Sequence, residues 1–266
     1  MSTQVALVFV LTFIIHLIST LAFALRIAGV RTGRIAVSLA LFNVLVLVSR
    51  TSNTFQGPLL AKHVERNIIG GRMEGAEWDF RWLLLAATLA TLVGGLLVPT
   101  FQRLFTRAIG TFSVHRSVPR LLLRAVTPVG LRALREATSI PAKENLTRMS
   151  LRRAPLRIVV YNVVSTSLIT VGVLSSLYAG YLNPELRVTA NNMSPVINGL
   201  STILLFIYID PHLSIMSDDV AGGRATDAEY RRFVTLLVVS RLAGTLLAQL
   251  LLVPAARVIV FVARSL

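Results

Sequence analysis

The chain has 266 residues, of which 54% are hydrophobic and 15% are charged, and its mean hydropathy is +0.71. This composition excludes an ordinary soluble domain and predicts an all-α, polytopic membrane protein. Lys and Arg outnumber Asp and Glu by 27 to 12 and cysteine is absent, which favours anionic partners and excludes disulfides, thiolate catalysis and Cys-based metal sites.

Six apolar runs are long enough to cross the hydrocarbon core of a bilayer, which takes about 20 residues. We therefore predict a single transmembrane domain over 1–266, with six helices and one long basic cytoplasmic loop. The predicted helices cover about 4–25, 34–60, 82–102, 156–181, 194–217 and 233–262, and the loop covers 103–155. Pro58 and Pro254 mark places where the long second and sixth helices could break.

Basic residues are concentrated in the odd-numbered loops. The first loop carries Arg26, Arg31 and Arg34, and the third carries 12 Lys or Arg residues between about 103 and 157. Because cytoplasmic loops are enriched in Lys and Arg, we expect these loops inside and both termini outside. Three spans in each half would give the halves opposite orientations, so an inverted repeat stays open, although the two halves show no clear sequence symmetry.

The second predicted helix has a small, polar face. At about 100° per residue, Asn43, Arg50 and Thr54 share one stripe of this helix, and Asn53 is a further polar residue on it. Arg50 is predicted about 24 Å above the inner boundary, in the outer third of the membrane. Arg50 could snorkel to the outer interface, or it could bind an anion, because guanidinium fits phosphate oxygens bidentately.

The third loop contains "PRLLLRAVTPVGLRALREA", which separates charged from apolar residues on a helical wheel. Its arginines fall on one side and its large apolar residues on the other: Arg120, Arg124, Arg132 and Arg135 against Leu122, Val126, Val129 and Leu134. This pattern predicts an interfacial amphipathic helix, or two hinged at Pro128, on the anionic cytoplasmic leaflet. Membrane docking and substrate gathering are both compatible with it.

Ionisable residues also occur inside other predicted helices. His16 lies near mid-membrane and is either a packing residue or a proton relay. Pro211 predicts a broken fifth helix that lines a cavity, with Asn198 near the outer end of that helix and Asp210 beside the break. Asp210 and Arg241 are predicted about 10 and 12 Å above the inner boundary, so we expect them to form a salt bridge, which is either structural or functional. Ion coupling through Asp210 or His16 is the alternative.

No established catalytic motif is present. The sequence has no GxxxxGK[ST], HExxH or GxSxG motif, and its four histidines are scattered singly, so we predict no catalytic residue, metal site or cofactor. The best enzyme alternative is an integral-membrane enzyme acting on a polyprenyl-phosphate lipid, with Asp210, Asp218 and Asp219 holding Mg²⁺. A third hypothesis is a membrane scaffold that recruits acidic partners through the basic loop.

The segment from His16 to Leu60, "HLISTLAFALRIAGVRTGRIAVSLALFNVLVLVSRTSNTFQGPLL", resembles the N-terminal signature of the Amj family, the bacterial lipid II flippases named as the alternate to MurJ. The resemblance is carried by "RIAGVRTGRIA", "LFN" and "LVSRTSN". It implies a multi-pass plasma-membrane protein that moves an undecaprenyl-pyrophosphate-linked disaccharide-pentapeptide from the inner to the outer leaflet for peptidoglycan synthesis. It thus implies a transporter in cell-wall biogenesis, not an enzyme.

The resemblance and the charged residues together predict an ascending path for the pyrophosphate. We expect Arg26, Arg31 and Arg34 to attract it at the cytoplasmic entrance, and Arg241 and then Arg50 to receive it at increasing height. The predicted polar lining of the cavity consists of Asn43, Asn53, Thr54 and Asn198. The expected partners are lipid II and, at the basic loop, anionic lipids, with no nucleic acid; a homo-oligomer and the energy source stay open.

Overall fold

The computed structural model describes residues 3–115, 127–139 and 155–266; at Arg50, 111–115, Val129 and Leu131 it describes the backbone only. The described residues form helices and no strand. In chain order the helices are α1 (Thr3–Thr32), α2 (Ile35–Ile69), α3 (Ala76–His115), α4 (Pro128–Ala137), α5 (Leu156–Leu182), α6 (Arg187–Asn192), α7 (Ser194–Leu204), α8 (Asp210–Ala221) and α9 (Asp227–Ser265).

The described helices provide six candidate membrane spans, which confirms the predicted all-α polytopic architecture. The fifth span, Pro184–Ala221, combines α6, α7 and α8. A π-helical turn, Leu205–Ile209, lies between α7 and α8, and Pro211 occupies the first turn of α8. Because proline has no backbone N–H, it cannot complete the regular hydrogen-bond ladder of an α-helix. At the predicted break the helix is therefore irregular but not interrupted, and the π-helical turn connects α7 to α8.

The amphipathic helix of the third loop is α4. Its arginines, Arg132 and Arg135, are exposed, whereas Leu134 is half-buried and Ala137 is buried, as an interfacial helix requires. Arg107 at the end of α3 donates a hydrogen bond to Glu136 at 3.0 Å. Of the other five residues of the predicted pattern, Arg120, Leu122, Arg124 and Val126 lie outside the described residues, and Val129 is described by its backbone only.

Four helices extend well past their predicted bounds: α1 to Thr32, α2 to Ile69, α3 at both ends over Ala76–His115, and α9 back to Asp227. The extensions of α1 and α9 move charged residues of the predicted site. α1 continues to Thr32 instead of ending near 25, so Arg26 lies within the helix and not in a loop. α9 begins at Asp227 instead of 233, because Thr226 and Glu229 form a capping box with bonds of 2.8 and 3.2 Å. Arg26 and Arg241 therefore lie farther from the ends of their helices than the apolar runs predicted.

The described helices pack against one another in one bundle. α1 packs against both α2 and α3, α5 packs against α9, and α3 also contacts α9. We use "basic end" for the end of the bundle that carries the α1–α2 turn at Gly33, α4 and the α8–α9 turn at Gly223. The start of α1 at Thr3 and the end of α9 at Ser265 lie at the opposite end. Gly33 and Gly223 have φ values of 66° and 72°, a backbone conformation that favours glycine.

Helix α2 is attached mainly to α1. Ser49 donates to the carbonyl of Ile15 at 3.3 Å, and Gln56 donates to Thr12 at 2.8 Å. Near its far end α2 also reaches α5, where Asn67 donates to the hydroxyl of Tyr181 at 3.0 Å. One face of α2 is thus packed, while the opposite face stays exposed over much of its length.

Replacing Gly244 with alanine is expected to loosen the contact between α5 and α9. A Cβ at this position would lie 2.7 Å from both the Val163 carbonyl oxygen and Thr166 Cβ, so the helices must separate. We expect a loss of about 1–3 kcal/mol, measured as thermal unfolding in detergent. The control is Gly199→Ala on α7, where an added Cβ meets nothing within 4 Å. Equal unfolding temperatures for the two variants would contradict this packing.

Candidate functional site

Arg26 and Asp210 form a buried ion pair that joins α1 to the start of α8. Arg26 Nη2 donates to Asp210 Oδ1 at 2.6 Å, and the two side chains are 8% and 22% exposed. The guanidinium carbon also lies 4.5 Å from the ring centroid of Phe42, a cation–π contact. The predicted Asp210–Arg241 salt bridge is therefore wrong: the carboxylate of Asp210 is paired with Arg26.

His16 and Arg241 carry buried nitrogen atoms without hydrogen-bond partners in the described part of the chain. His16 is 9% exposed, and both His16 Nδ1 and Arg241 Nε are buried and unbonded. A Cβ at Gly94 of α3 would meet Leu17 and Thr20 of α1, and one at Gly95 would meet Val238 of α9, so His16 and Arg241 lie at a similar level where α1 contacts α9. Among the described residues, no carboxylate forms an ion pair with Arg241.

The heights of the basic residues follow from the helix ends. At about 1.5 Å per residue, Arg241 lies about 21 Å from the start of α9, and His16 lies about 24 Å from the end of α1. Arg50 lies about 22 Å from the start of α2, and the bond from neighbouring Ser49 to Ile15 places its backbone at the level of His16. We call the level of His16, Arg50 and Arg241 the central basic layer.

The ascending order of Arg241 and Arg50 is therefore wrong. The predicted height of Arg241 assumed that its helix begins at 233, whereas α9 begins at Asp227 and raises Arg241 by more than one turn. The same extension moves Arg241 away from the level of Asp210. The two arginines, predicted at different heights, lie at one level near the middle of the bundle.

The predicted entrance residues differ in their surroundings. Arg31 and Arg34 are exposed at the basic end, on either side of Gly33, where an approaching anion can contact them. Arg26, by contrast, is buried and paired with Asp210. Arg26 therefore does not belong to the entrance; it belongs to the contact between α1 and α8.

The predicted cavity-lining residues lie on two different helix contacts. Asn43, Asn53 and Thr54 are exposed on α2, on a helix that packs mainly against α1. Asn198 is half-buried where α7 meets α5, and its Oδ1 is buried without a hydrogen-bond partner among the described residues. At that contact Gly172 leaves room for Asn198, because a Cβ at Gly172 would lie 2.5 Å from Oδ1.

Asn162 lies beside the central basic layer and was not among the predicted site residues. Its side-chain amide donates to the carbonyl of Leu237 at 2.8 Å and to the hydroxyl of Ser240 at 2.7 Å. These bonds attach α5 to α9 immediately before Arg241. The available signal was an amide in an apolar helix, which needs a partner in the membrane, but its partner could not be identified without the register of α5 against α9.

The three aspartates of the enzyme hypothesis do not converge. Asp210 is paired with Arg26, Asp219 is paired with Arg224 at 2.7 Å, and Asp218 is exposed. No group of three or more His, Asp or Glu side chains that could hold a metal ion occurs within the ranges that the structure describes. The described residues therefore do not form the Mg²⁺ site that the enzyme alternative requires.

The profile of the family described as "Amj: Alternate to MurJ" matches residues 11–263. The chain belongs to the Amj family. It is also 38% identical over 260 residues to the protein named lipid II flippase Amj of Bacillus subtilis (strain 168), covering 96% of this chain and 95% of that relative. No solved structure matches the chain. The resemblance that was first visible between His16 and Leu60 thus extends over nearly the whole Amj-family sequence.

Proposed function

We propose that this Amj-family protein is a lipid II flippase of the bacterial plasma membrane. It moves the undecaprenyl-pyrophosphate-linked peptidoglycan precursor from the inner to the outer leaflet. The observation that carries the proposal is the similarity, over nearly the full length of both chains, to a relative named as a lipid II flippase. A flippase leaves its substrate chemically unchanged, so the proposal assigns no catalytic residue and no cofactor.

The central basic layer supports this function. A charged side chain inside a membrane costs several kcal/mol unless a partner or water compensates it, and Arg241 has no carboxylate partner in the described part of the chain. A pyrophosphate that passes through the bundle supplies that partner. In this proposal Arg241 and Arg50 bind the pyrophosphate, and guanidinium groups suit its oxygens because they donate two parallel hydrogen bonds.

The exposed polar face of α2 supports a lateral opening for the headgroup. Asn43 and Asn53 would be costly against lipid, so in this proposal water and the polar headgroup of lipid II cover this face, to which Thr54 also belongs, while the polyprenyl chain stays in the bilayer. Asn198 contributes a polar group from α7. A second copy of the chain that covers the same face is the alternative, and it would make the protein a homo-oligomer.

The proposed orientation places the basic end in the cytoplasm and both termini outside. The described arginines at this end are Arg31, Arg34, Arg103, Arg107, Arg132, Arg135, Arg157, Arg224, Arg231 and Arg232. Cytoplasmic loops carry such an excess of positive charge. Arg31 and Arg34 then attract the pyrophosphate from the inner leaflet, and α4 lies on anionic lipids of that leaflet.

The function is tested by the leaflet in which lipid II is accessible. In cells depleted of their other flippases, expression of this protein is expected to restore lipid II to the outer leaflet, and the empty vector is not. A membrane-inserted protein that fails to restore it contradicts the proposal. The enzyme alternative predicts instead a change in lipid mass that is lost in Asp218→Asn or Asp219→Asn; we expect both variants to flip lipid II normally.

A further inference from the structure

His16 lies in the central basic layer, and the function proposed above does not yet use it. More than nine-tenths of its side chain is buried, and its Nδ1 has no hydrogen-bond partner among the residues that the structure describes. A histidine that only fills space usually satisfies its buried ring nitrogens, because an unmade bond in a dry interior costs about 1–3 kcal/mol. Within the described part of the chain, the Nδ1 atom is therefore available to bond to a ligand.

Arg241 Nε presents the same feature at the level of His16. Among the described residues this buried nitrogen also has no hydrogen-bond partner, and α9 holds it where Val238 and Leu17 pack near adjacent glycines of α3. Among the described residues, every carboxylate except Asp210 lies near one of the two ends of the bundle, and Asp210 is bonded to Arg26. Within that part of the chain, the centre of the bundle thus contains a cation without an anion.

The backbones that carry these two side chains are firmly held. On α1, Thr20 donates to the carbonyl of His16 at 2.8 Å and packs closely against Gly94 of α3. On α9, the amide of Asn162 bonds to Leu237 and Ser240, just before Arg241. Two fixed backbones that present unpaired N–H donors are a preorganised arrangement for an anion.

We propose that His16 and Arg241 form one anion-binding site, in which His16 Nδ1–H and the Arg241 guanidinium both donate to the same pyrophosphate. This inference rests on the proposed function and assigns His16 as the second side chain of the substrate site. A neutral histidine can present N–H at Nδ1 when Nε2 is unprotonated, so the site needs no protonated ring. Its ligand chemistry is a diphosphate, supplied by the lipid headgroup or by free pyrophosphate.

The first experiment observes His16 directly. The chain contains 4 histidines, so the purified protein labelled with ¹⁵N-histidine gives few imidazole signals, and His16→Asn identifies one of them by its loss. We expect undecaprenyl pyrophosphate to shift the His16 signal. A shift with inorganic pyrophosphate as well indicates that the headgroup is sufficient. A His16 signal that stays unchanged at saturating undecaprenyl pyrophosphate overturns the site.

The second experiment compares affinities for undecaprenyl pyrophosphate in detergent. His16→Leu removes the donor and is expected to weaken binding on the order of tenfold, the effect of losing one hydrogen bond to a charged group. His16→Asn retains an N–H donor near the position of Nδ1 and is expected to bind much more tightly than His16→Leu. Parent affinity in His16→Leu, or equal losses in both variants, contradicts donation by Nδ1.

The matched control is His212→Leu. His212 is half-buried on α8, with its ring centroid 5.1 Å from that of Phe233, and it lies near the basic end. We expect this variant to keep parent affinity. Thermal unfolding of each variant distinguishes loss of binding from loss of structure. If His16→Leu does not fold, the shift of the His16 ¹⁵N signal in the parent protein still decides whether His16 contacts the diphosphate.

The leaflet measurement separates this inference from the proposed function. When the parent restores outer-leaflet lipid II and a folded His16→Leu variant does so at the same rate, the site is wrong and the flippase function stands. When the parent itself does not restore lipid II, the proposed function fails whatever the affinities are.

Discussion

Replacing Arg241 with leucine is expected to abolish flipping while the protein remains folded. Among the described residues, Arg241 Nε has no hydrogen-bond partner and no carboxylate pairs with this residue, so an apolar side chain leaves no orphaned charge behind. The pyrophosphate, however, loses its main counter-charge in the membrane. The loss of flipping is measured as outer-leaflet lipid II in flippase-depleted cells. Thermal unfolding in detergent shows whether the variant remains folded.

Arg257→Leu is the matched control, because Arg257 is an exposed arginine on the same helix. We expect Arg257→Leu to flip lipid II at the parent rate. Arg241→Lys keeps the charge but loses the planar pair of donors, so partial activity indicates a point charge, and no activity indicates bidentate contact. Normal flipping by Arg241→Leu, or unfolding of this variant, argues against a substrate-binding role.

Replacing Asp210 with asparagine is expected to cause the largest loss of stability. Arg26 is 8% exposed and pairs with Asp210 at 2.6 Å, so the variant leaves a buried guanidinium without its carboxylate. Such a loss costs about 3–5 kcal/mol. The double variant Arg26→Met with Asp210→Leu removes both charges and is expected to recover most of that stability. Thermal unfolding in detergent and abundance in the membrane are the measurements.

Asp219→Asn provides the control for an exposed ion pair. Arg224, the partner of Asp219, is 68% exposed, and breaking such a pair changes stability by no more than about 1 kcal/mol. A further double variant tests the Arg26–Asp210 pair against the Asp210–Arg241 pair that was expected from sequence. Adding Arg241→Leu is expected not to restore the stability that Asp210→Asn loses. Rescue by Arg241→Leu, or Asp210→Asn unfolding at the same temperature as Asp219→Asn, would contradict the Arg26–Asp210 pair.

The six spans and the class of protein could be predicted from the sequence because both depend on local composition. An apolar run of about 20 residues must be helical in a bilayer whatever it contacts, since its backbone groups have no other partners. The amphipathic pattern of α4 is local in the same way. The motif between His16 and Leu60 was sufficient to indicate the family that the comparison over residues 11–263 confirms.

The candidate site was predicted less well because its residues lie on different helices. Arg241 was recognised as an intramembrane charge, but its height depended on the capping box at Thr226, which lies before the apolar run that hydropathy detects. Arg26 was assigned to a loop because a charge usually ends an apolar run. Its partner, Asp210, and the ring of Phe42 make a buried position tolerable, and both are distant in sequence.

The sequence by itself determined a basic, cysteine-free, six-span helical protein of the Amj family, together with the identity of its intramembrane charged residues. Only the tertiary structure decided how these residues are arranged: it joins Arg26 to Asp210 and places Arg241 at the level of His16. The physical reason is that hydropathy sums over neighbouring residues, whereas ion pairing depends on helix ends and register. A shift of a few residues in a helix end or in the register between two helices moves a side chain by a full turn of about 5.4 Å, which is enough to change its partner.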